Sequence, residues 1–225
     1  MKKILSLALV TIMLVTTLAS CSLLDKMFSK DEENLVDTVD RTVTEEEWNA
    51  NMGITNYEVY QYSFGTDENG NLVGSEETPE VIWQYTEDAE YSIVNGRFNS
   101  AHVLIDGKWY WILKGSDSAD PTIVYPARLD EDHVHSFGFE WYKYSDFTYD
   151  ADLGAYVKSE SDVITDYGTY QDFKCYCYFE NNVIVKIEQV GVWVLNDGTK
   201  TDVVIRTVIK NIGTTVIDLP KYVVE

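Results

Sequence analysis

Two kinds of hydrophobic pattern follow one another along the chain. Trp48 and Met52 lie four residues apart, and Thr44 and Glu47 have the spacing of a helix capping box. Gly53 then provides a stop signal for this helix. From Asn56 onward, apolar and polar residues alternate with a period of two, which predicts β-strands. The pattern therefore predicts one short N-terminal helix followed by a β-rich region.

Tight-turn sequences divide the β-rich region into short strands. Asn95-Gly96 and Asp106-Gly107 favour two-residue hairpin turns, and Asn181-Asn182 is a further turn. The predicted strands are 56–65, 81–85, 91–94, 97–100, 102–105, 108–113, 148–149, 155–158, 173–179, 183–195, 202–210 and 216–219. Strands at this spacing indicate an antiparallel meander.

One segment, 129–144, interrupts the strand pattern. Val134, Phe137 and Trp141 have helical spacing there, which predicts a further short helix or lid segment. We therefore expect a mainly β (α+β) fold, a curved antiparallel meander sheet or half-barrel with an N-terminal helix and this additional segment.

The N-terminus has the features of an export signal. Met1-Lys2-Lys3 precedes the uncharged stretch Ile4–Ser20, which is shorter than the roughly 20 apolar residues of a stable membrane span. Leu18-Ala19-Ser20-Cys21 resembles the lipobox of bacterial lipoproteins. This resemblance implies cleavage before Cys21, a diacylglycerol on its sulfur, acyl chains such as palmitate, and anchoring at the extracytoplasmic face of the bacterial cell membrane.

These signals divide the chain into three parts. We expect a lipoprotein signal peptide at 1–20, the lipidated Cys21 with a flexible tether at 21–43, and a single β-rich domain at 44–225. Cleavage removes Lys2 and Lys3 and no acidic residue, which takes the formal net charge from -21 to -23. Such acidity argues against nucleic-acid binding, which requires basic residues, and we expect a monomer.

Aromatic residues, 13% of the chain, are the strongest indication of a ligand. Trp109 and Trp111 share one face of their predicted strand, where Leu104 would pair with Trp109 and His102 with Trp111. One interpretation is a platform for a hydrophobic ligand. The commoner interpretation is a core ladder that holds a helix to the sheet. The candidate ligand-binding residues are Trp83, Tyr85, Trp109, Trp111 and Trp141.

Metal and thiol chemistry have weaker support in the sequence. His133 and His135, flanked by the acidic residues 130–132, could face a metal together if this stretch is extended, whereas a helix would separate their rings. Without a CxxC or HExxH motif, a solvated acidic turn is the favoured interpretation, and we predict no metal site and no cofactor. Cys175 and Cys177 would share one strand face, most simply as small apolar core groups.

Catalytic signatures are missing from the sequence. It contains no GxSxG elbow, SxxK, P-loop or GxGxxG. We therefore expect a non-enzymatic protein, with a hydrolase of unknown type left open.

The predicted architecture resembles the LolA/LppX-type lipoproteins, in which helices lie over the open side of a half-barrel that holds acyl chains. The segments 147–157 and 211–220 also look like parts of small uncharacterised lipoproteins of Gram-positive gut bacteria. The first resemblance implies a membrane-anchored protein that binds a hydrophobic ligand, a lipid or an acylated peptide, with an envelope protein as another possible partner. The alternative is a protein- or glycan-interaction module with a filled core and no cavity.

Overall fold

The structure, a computed structural model, describes residues 42–113, 124–133, 135, 139, 142–165 and 168–225. The predicted signal peptide, Cys21 and most of the tether lie outside this set, as do Val134, Phe137 and Trp141. Among the described residues, no helix has the length and apolar character needed to cross a membrane. Residues 42–225 form one compact unit.

The predicted N-terminal helix is confirmed as α1, Glu45–Met52. The Thr44 hydroxyl accepts a hydrogen bond from the Glu47 amide at 3.2 Å, and the Thr44 amide donates to the Glu47 carboxylate at 2.9 Å. These are the two bonds of the capping box, so the helix begins where its sequence indicates. Gly53 ends it.

Thirteen strands follow the helix in the described part of the chain. They are β1 Tyr57–Thr66, β2 Leu72–Gly74, β3 Val81–Tyr85, β4 Ala89–Val94, β5 Arg97–Ile105, β6 Lys108–Leu113, β7 Tyr125–Leu129, β8 Thr148–Asp150, β9 Ala155–Thr165, β10 Gly168–Glu180, β11 Val183–Leu195, β12 Lys200–Lys210 and β13 Tyr222–Val224. The mainly β class is thereby confirmed.

All these strands belong to one curved sheet that does not close among the described residues. Strands β3 to β7 form one antiparallel meander, and β8 to β12 form another. Strand β1 joins the two meanders, because it pairs antiparallel with β3 on one side and with β12 on the other. Strand β13 adds to the far edge, parallel to β7.

Backbone geometry at the turns explains why the hairpin signals were reliable. Asn95 and Gly96 have φ values of 50° and 72°, and Asp106 and Gly107 have 48° and 76°. A type I′ turn requires this left-handed conformation at both central residues, and Asn, Asp and Gly adopt it most readily.

The C-terminal strand prediction is wrong. Residues 216–219 form no strand, and the Val216 side chain is 82% exposed. The preceding Thr215 is held instead by Asn56, whose side-chain oxygen accepts the Thr215 amide at 2.8 Å. The last strand, β13, starts only after Pro220, which has no N–H to contribute to a ladder.

The segment 129–144 agrees with its prediction only in part where it is described. Leu129 ends the unpredicted strand β7, and residues 131–132 form a turn. Phe139 is 3-10 helical, and a further 3-10 turn, Tyr144–Asp146, begins at the end of the segment. The three residues whose spacing predicted a helix lie outside the described residues.

Helix α1 packs against one face of the sheet through a filled aromatic core. Trp48 is 0% exposed, and its ring lies 5.1–5.8 Å from four other aromatic rings, those of Tyr144, Phe147, Tyr156 and Phe179. Its indole N–H donates to the Tyr142 carbonyl at 2.7 Å, so the polar atom is satisfied as well.

Asn51, one turn further along α1, connects the helix to the β10–β11 hairpin. Its side-chain amide donates to the Asn182 carbonyl at 2.8 Å, and its oxygen accepts the Ile184 amide at 2.8 Å. The helix is therefore fixed to the sheet by both packing and hydrogen bonds.

Replacing Trp48 should destabilise the domain strongly. We expect Trp48→Ala to lower the free energy of unfolding by about 3–5 kcal/mol, because it leaves a cavity among four rings and orphans the Tyr142 carbonyl. Asn49→Ala, on the exposed side of the same helix, should change it by less than about 0.5 kcal/mol. Urea unfolding followed by circular dichroism measures both, and equal effects would contradict this account of the core.

Candidate functional site

The register of three neighbouring strands places chemically active side chains in a row. Glu90 on β4 lies opposite His102 on β5, and His102 lies opposite Trp111 on β6. The His102–Trp111 and Leu104–Trp109 pairings predicted from the Asp106-Gly107 turn are confirmed. Directly opposed residues project from the same face of a sheet, so Glu90, His102 and Trp111 share one surface.

The segment that follows β7 brings two more histidines onto this surface. The Asp130 amide donates to the Trp109 carbonyl at 2.9 Å, which holds the start of the segment against β6. His133 and His135 follow, and neither lies in a helix. Their ring centroids are 6.2 Å apart, so the two imidazoles are neighbours, as the extended alternative requires.

The carboxylate of Glu90 is the centre of the histidine cluster, which we define as Glu90, His102, Asp130, His133 and His135. One Glu90 oxygen, Oε1, lies 2.8 Å from His135 Nδ1 and 3.4 Å from His133 Nε2. The other, Oε2, lies 3.6 Å from His102 Nδ1, while His102 Nε2 lies 3.3 Å from Asp130 Oδ2.

The histidine cluster is largely removed from solvent. The side chain of His133 is 8% exposed and that of Glu90 15%. Glu131 and Asp132 remain exposed. The predicted solvated acidic turn therefore fits these two acidic residues but not His133.

Close contacts in this cluster are not all hydrogen bonds. Among the described residues, three buried side-chain polar atoms have no hydrogen-bond partner: Glu90 Oε1, His133 Nε2 and His135 Nδ1. The 2.8 Å approach of His135 Nδ1 to Glu90 Oε1 is thus a short contact outside the direction in which a ring nitrogen forms a hydrogen bond. Three unpaired polar atoms in one place are unusual, since buried polar groups are nearly always satisfied.

Aromatic rings hold the imidazoles in position. Trp109 stacks on His135 with centroids 4.6 Å apart and lies 4.8 Å from His133. His102 stacks on His133 at 4.0 Å and lies parallel to Trp111 at 6.0 Å. Each of the three imidazoles therefore contacts at least one other ring.

Electrostatics at the cluster reflect its burial. Desolvation lowers the pKa of His102, the nearby His133 lowers it further, and Glu90 and Asp130 partly oppose the shift. Burial raises the pKa of Tyr85, with Glu90 as a second cause, so this phenol stays neutral.

The sequence-predicted aromatic residues fall into three groups. Tyr85, Trp109 and Trp111 surround the histidine cluster; the Tyr85 ring lies 6.0 Å from His135. Trp83 packs against the core beneath α1. Trp141 lies outside the described residues. Whether any of them contacts a ligand stays a prediction.

The two internal cysteines lie in the core. Cys175 and Cys177 are free, buried thiols in one hydrophobic cluster, as predicted, and Phe173 and Phe179 pack against the same cluster. Burial raises the pKa of Cys177, with Cys175 as a further cause, which disfavours the reactive thiolate.

A separate pocket of about 570 Å³ lies beside the β1–β2 hairpin. It is bounded by that hairpin, by the loop that leads into β3 and by the start of β12, and it is open on one side. Its lining is Ser63, Phe64, Val73, Gly74, Ser75, Thr78, Pro79, Glu80, Asn95, Asp202 and Val203. It shares no residue with the histidine cluster, and none of the predicted aromatic residues lines it.

Sequence reasoning missed Glu90 and the pocket residues. Glu90 is one of 38 acidic residues, and nothing local marks it. A useful signal was available in the histidines, because the chain has only three and all of them meet in one cluster.

Comparison with protein-family models, with curated proteins and with solved structures found no match to this chain.

Proposed function

We propose that this chain is a membrane-anchored extracytoplasmic lipoprotein that binds a hydrophobic ligand without catalysing a reaction. The ligand class is an acyl chain, presented by a lipid or an acylated peptide. The lipobox-like sequence Leu18–Cys21 supports the anchor, and the start of α1 at Glu45 leaves room for a tether between the anchor and the sheet.

The pocket beside the β1–β2 hairpin carries the proposal. Its volume of about 570 Å³ falls within the range of about 300–1,000 Å³ that is typical of small-molecule sites. Phe64, Val73, Pro79 and Val203 supply apolar surface. An acyl chain buried there would gain about 0.8 kcal/mol for each CH2 group removed from water.

Acidic residues at this pocket restrict the head group of the ligand. Glu80 and Asp202 both line it, and both are exposed. Two carboxylates repel a free fatty-acid head group and attract an amine or another hydrogen-bond donor. The pocket therefore favours a neutral or cationic amphiphile over an anionic one.

The filled core beneath α1 favours a second candidate function, a protein- or glycan-interaction module. Trp48 and its four aromatic neighbours occupy the space where a half-barrel lipoprotein would hold its ligand. In this case the domain would present only its surface to a partner, and acyl-chain probes would not bind.

A polar substitution in the pocket should weaken ligand binding. We expect the full chain in mild detergent to bind dodecylamine more tightly than dodecanoate, and Val73→Asn to reduce dodecylamine affinity about tenfold through lost apolar contact. The matched control is Leu72→Asn, because Leu72 is adjacent and exposed but does not line the pocket. Isothermal titration calorimetry measures all four affinities.

The result of this titration separates the two candidate functions. Absence of measurable binding by either probe would contradict the acyl-chain proposal and support the interaction module. Equal losses in Val73→Asn and Leu72→Asn would place any ligand outside this pocket.

The anchor makes a prediction of its own. In a bacterial host supplied with labelled palmitate, the full chain should incorporate label and fractionate with membranes, whereas Cys21→Ser should do neither, because it lacks the thiol that takes the lipid. Cys175→Ser is the control, since that thiol is buried in the core. Labelling that survives Cys21→Ser would rule out the proposed anchor.

A further inference from the structure

The histidine cluster brings together three buried polar atoms that have no hydrogen-bond partner in the described part of the chain. Glu90 Oε1, His133 Nε2 and His135 Nδ1 are the buried side-chain atoms without a hydrogen bond among the described residues. They lie within 4.8 Å of one another. A carboxylate oxygen and two imidazole nitrogens that converge in this way have their lone pairs available to a common acceptor.

We propose that Glu90, His133 and His135 bind a divalent transition-metal ion, with Zn²⁺ as the best match. The inference does not rest on the proposed function, because the pocket beside the β1–β2 hairpin shares no residue with this site.

The spacing of the donor atoms suits metal coordination. Ligands about 2.0–2.1 Å from a zinc ion are about 2.9 Å apart at right angles and about 3.3 Å apart at the tetrahedral angle. The observed separations from Glu90 Oε1 are 2.8 Å to His135 Nδ1 and 3.4 Å to His133 Nε2. An ion can therefore be accommodated with small side-chain adjustments.

The donor types select the class of metal. Two imidazole nitrogens and one carboxylate oxygen suit zinc and its neighbours in the transition series, whereas Ca²⁺ and Mg²⁺ prefer sites built from oxygen alone. Three protein ligands also leave one position of a tetrahedral ion open to water or to an external donor.

His102 and Asp130 form an outer layer around these ligands. His102 Nδ1 faces the second Glu90 oxygen at 3.6 Å, and its Nε2 faces Asp130 at 3.3 Å. In other metal sites such outer partners orient the coordinating carboxylate. Replacing one of them typically lowers metal affinity about 10- to 100-fold. His102, Asp130 and His133 are also close enough to form a competing donor set.

The surrounding sheet and aromatic rings hold the proposed ligands close together before an ion binds. Glu90 lies on β4, and Trp109 on β6 stacks against His135 at 4.6 Å and contacts His133 at 4.8 Å. A bound ion would link the segment after β7 to strand β4 of the same meander. Metal binding should therefore stabilise the folded state.

The first test uses the full chain, treated with a chelator and then titrated with ZnCl2. We expect one ion per chain, a micromolar or lower Kd, and a melting temperature raised by about 5–10 °C at free zinc 100 times Kd. CaCl2 at the same concentration should leave the melting temperature unchanged. Absence of zinc binding at micromolar concentrations would overturn the proposal. This test uses the unsubstituted chain, so it does not depend on whether a variant folds.

The second test assigns the ligands. Glu90→Gln, His133→Gln and His135→Gln should each weaken zinc binding at least tenfold, whereas Glu87→Gln should not. Glu87 is an exposed residue just before β4, so its substitution makes the same change of charge. Melting without metal shows whether each variant folds, and Ni²⁺ quenching of tryptophan fluorescence gives a second readout because Trp109 contacts both histidines.

A different pattern of losses would reject this ligand set. Zinc binding that His102→Asn abolishes and His135→Gln leaves intact would place the ion on His102, Asp130 and His133 instead. Binding that all three ligand variants retain would show that zinc occupies another part of the chain.

Discussion

The pairing of β1 with both β3 and β12 is the constraint on which the rest of the structure depends. Residues 58–66 pair with residues 202–210, and residues 57–61 pair with residues 81–85, so one strand joins the two meanders. Each meander alone has a free edge at this point, and such edges associate with other strands unless they are covered. Strand β1 satisfies both edges and turns two short sheets into one.

A row of paired residues leads from this strand to the histidine cluster. Tyr57 on β1 lies opposite Tyr85, Tyr85 opposite Glu90, and the row continues through His102 and Trp111. Because side chains alternate between faces, a shift of one residue at any of these pairings would send part of the row to the other side. The two-residue turns at Asn95-Gly96 and Asp106-Gly107 fix the register of the hairpins in this row.

Local sequence predicted the parts of the fold that local chemistry controls. The capping box at Thr44, the hairpins and the shared face of Cys175 and Cys177 all follow from interactions between near neighbours. Strand β7 was missed because it is short and contains Pro126, which weakens a strand pattern, and β13 because its parallel partner is distant in sequence.

The candidate sites were harder to predict for the same reason. His133 and His135 were recognised as possible metal ligands, but their third partner, Glu90, reaches them only through the fold. The pocket beside the β1–β2 hairpin likewise depends on Asp202 and Val203. These two residues lie more than 100 positions after the other residues that line the pocket, and they reach it only because β1 and β12 pair. Side-chain identity alone carries no information about such distant contacts.

Burial of the histidine cluster needs a physical explanation that packing alone does not give. An unsatisfied buried donor or acceptor costs about 1–3 kcal/mol, so three of them are a substantial burden on a domain whose total stability is of the order of 10 kcal/mol. Water could satisfy one or two such atoms, but the rings of Trp109 and Tyr85 cover His135 with apolar surface, and His102 stacks on His133. A single cation that accepts a lone pair from each of the three atoms would remove the free-energy cost of leaving them unsatisfied. Its positive charge also compensates Glu90 and Asp130 in a chain that is already strongly acidic. Tyr85, Trp109 and Trp111, which first suggested a hydrophobic ligand, are then the wall of a polar site.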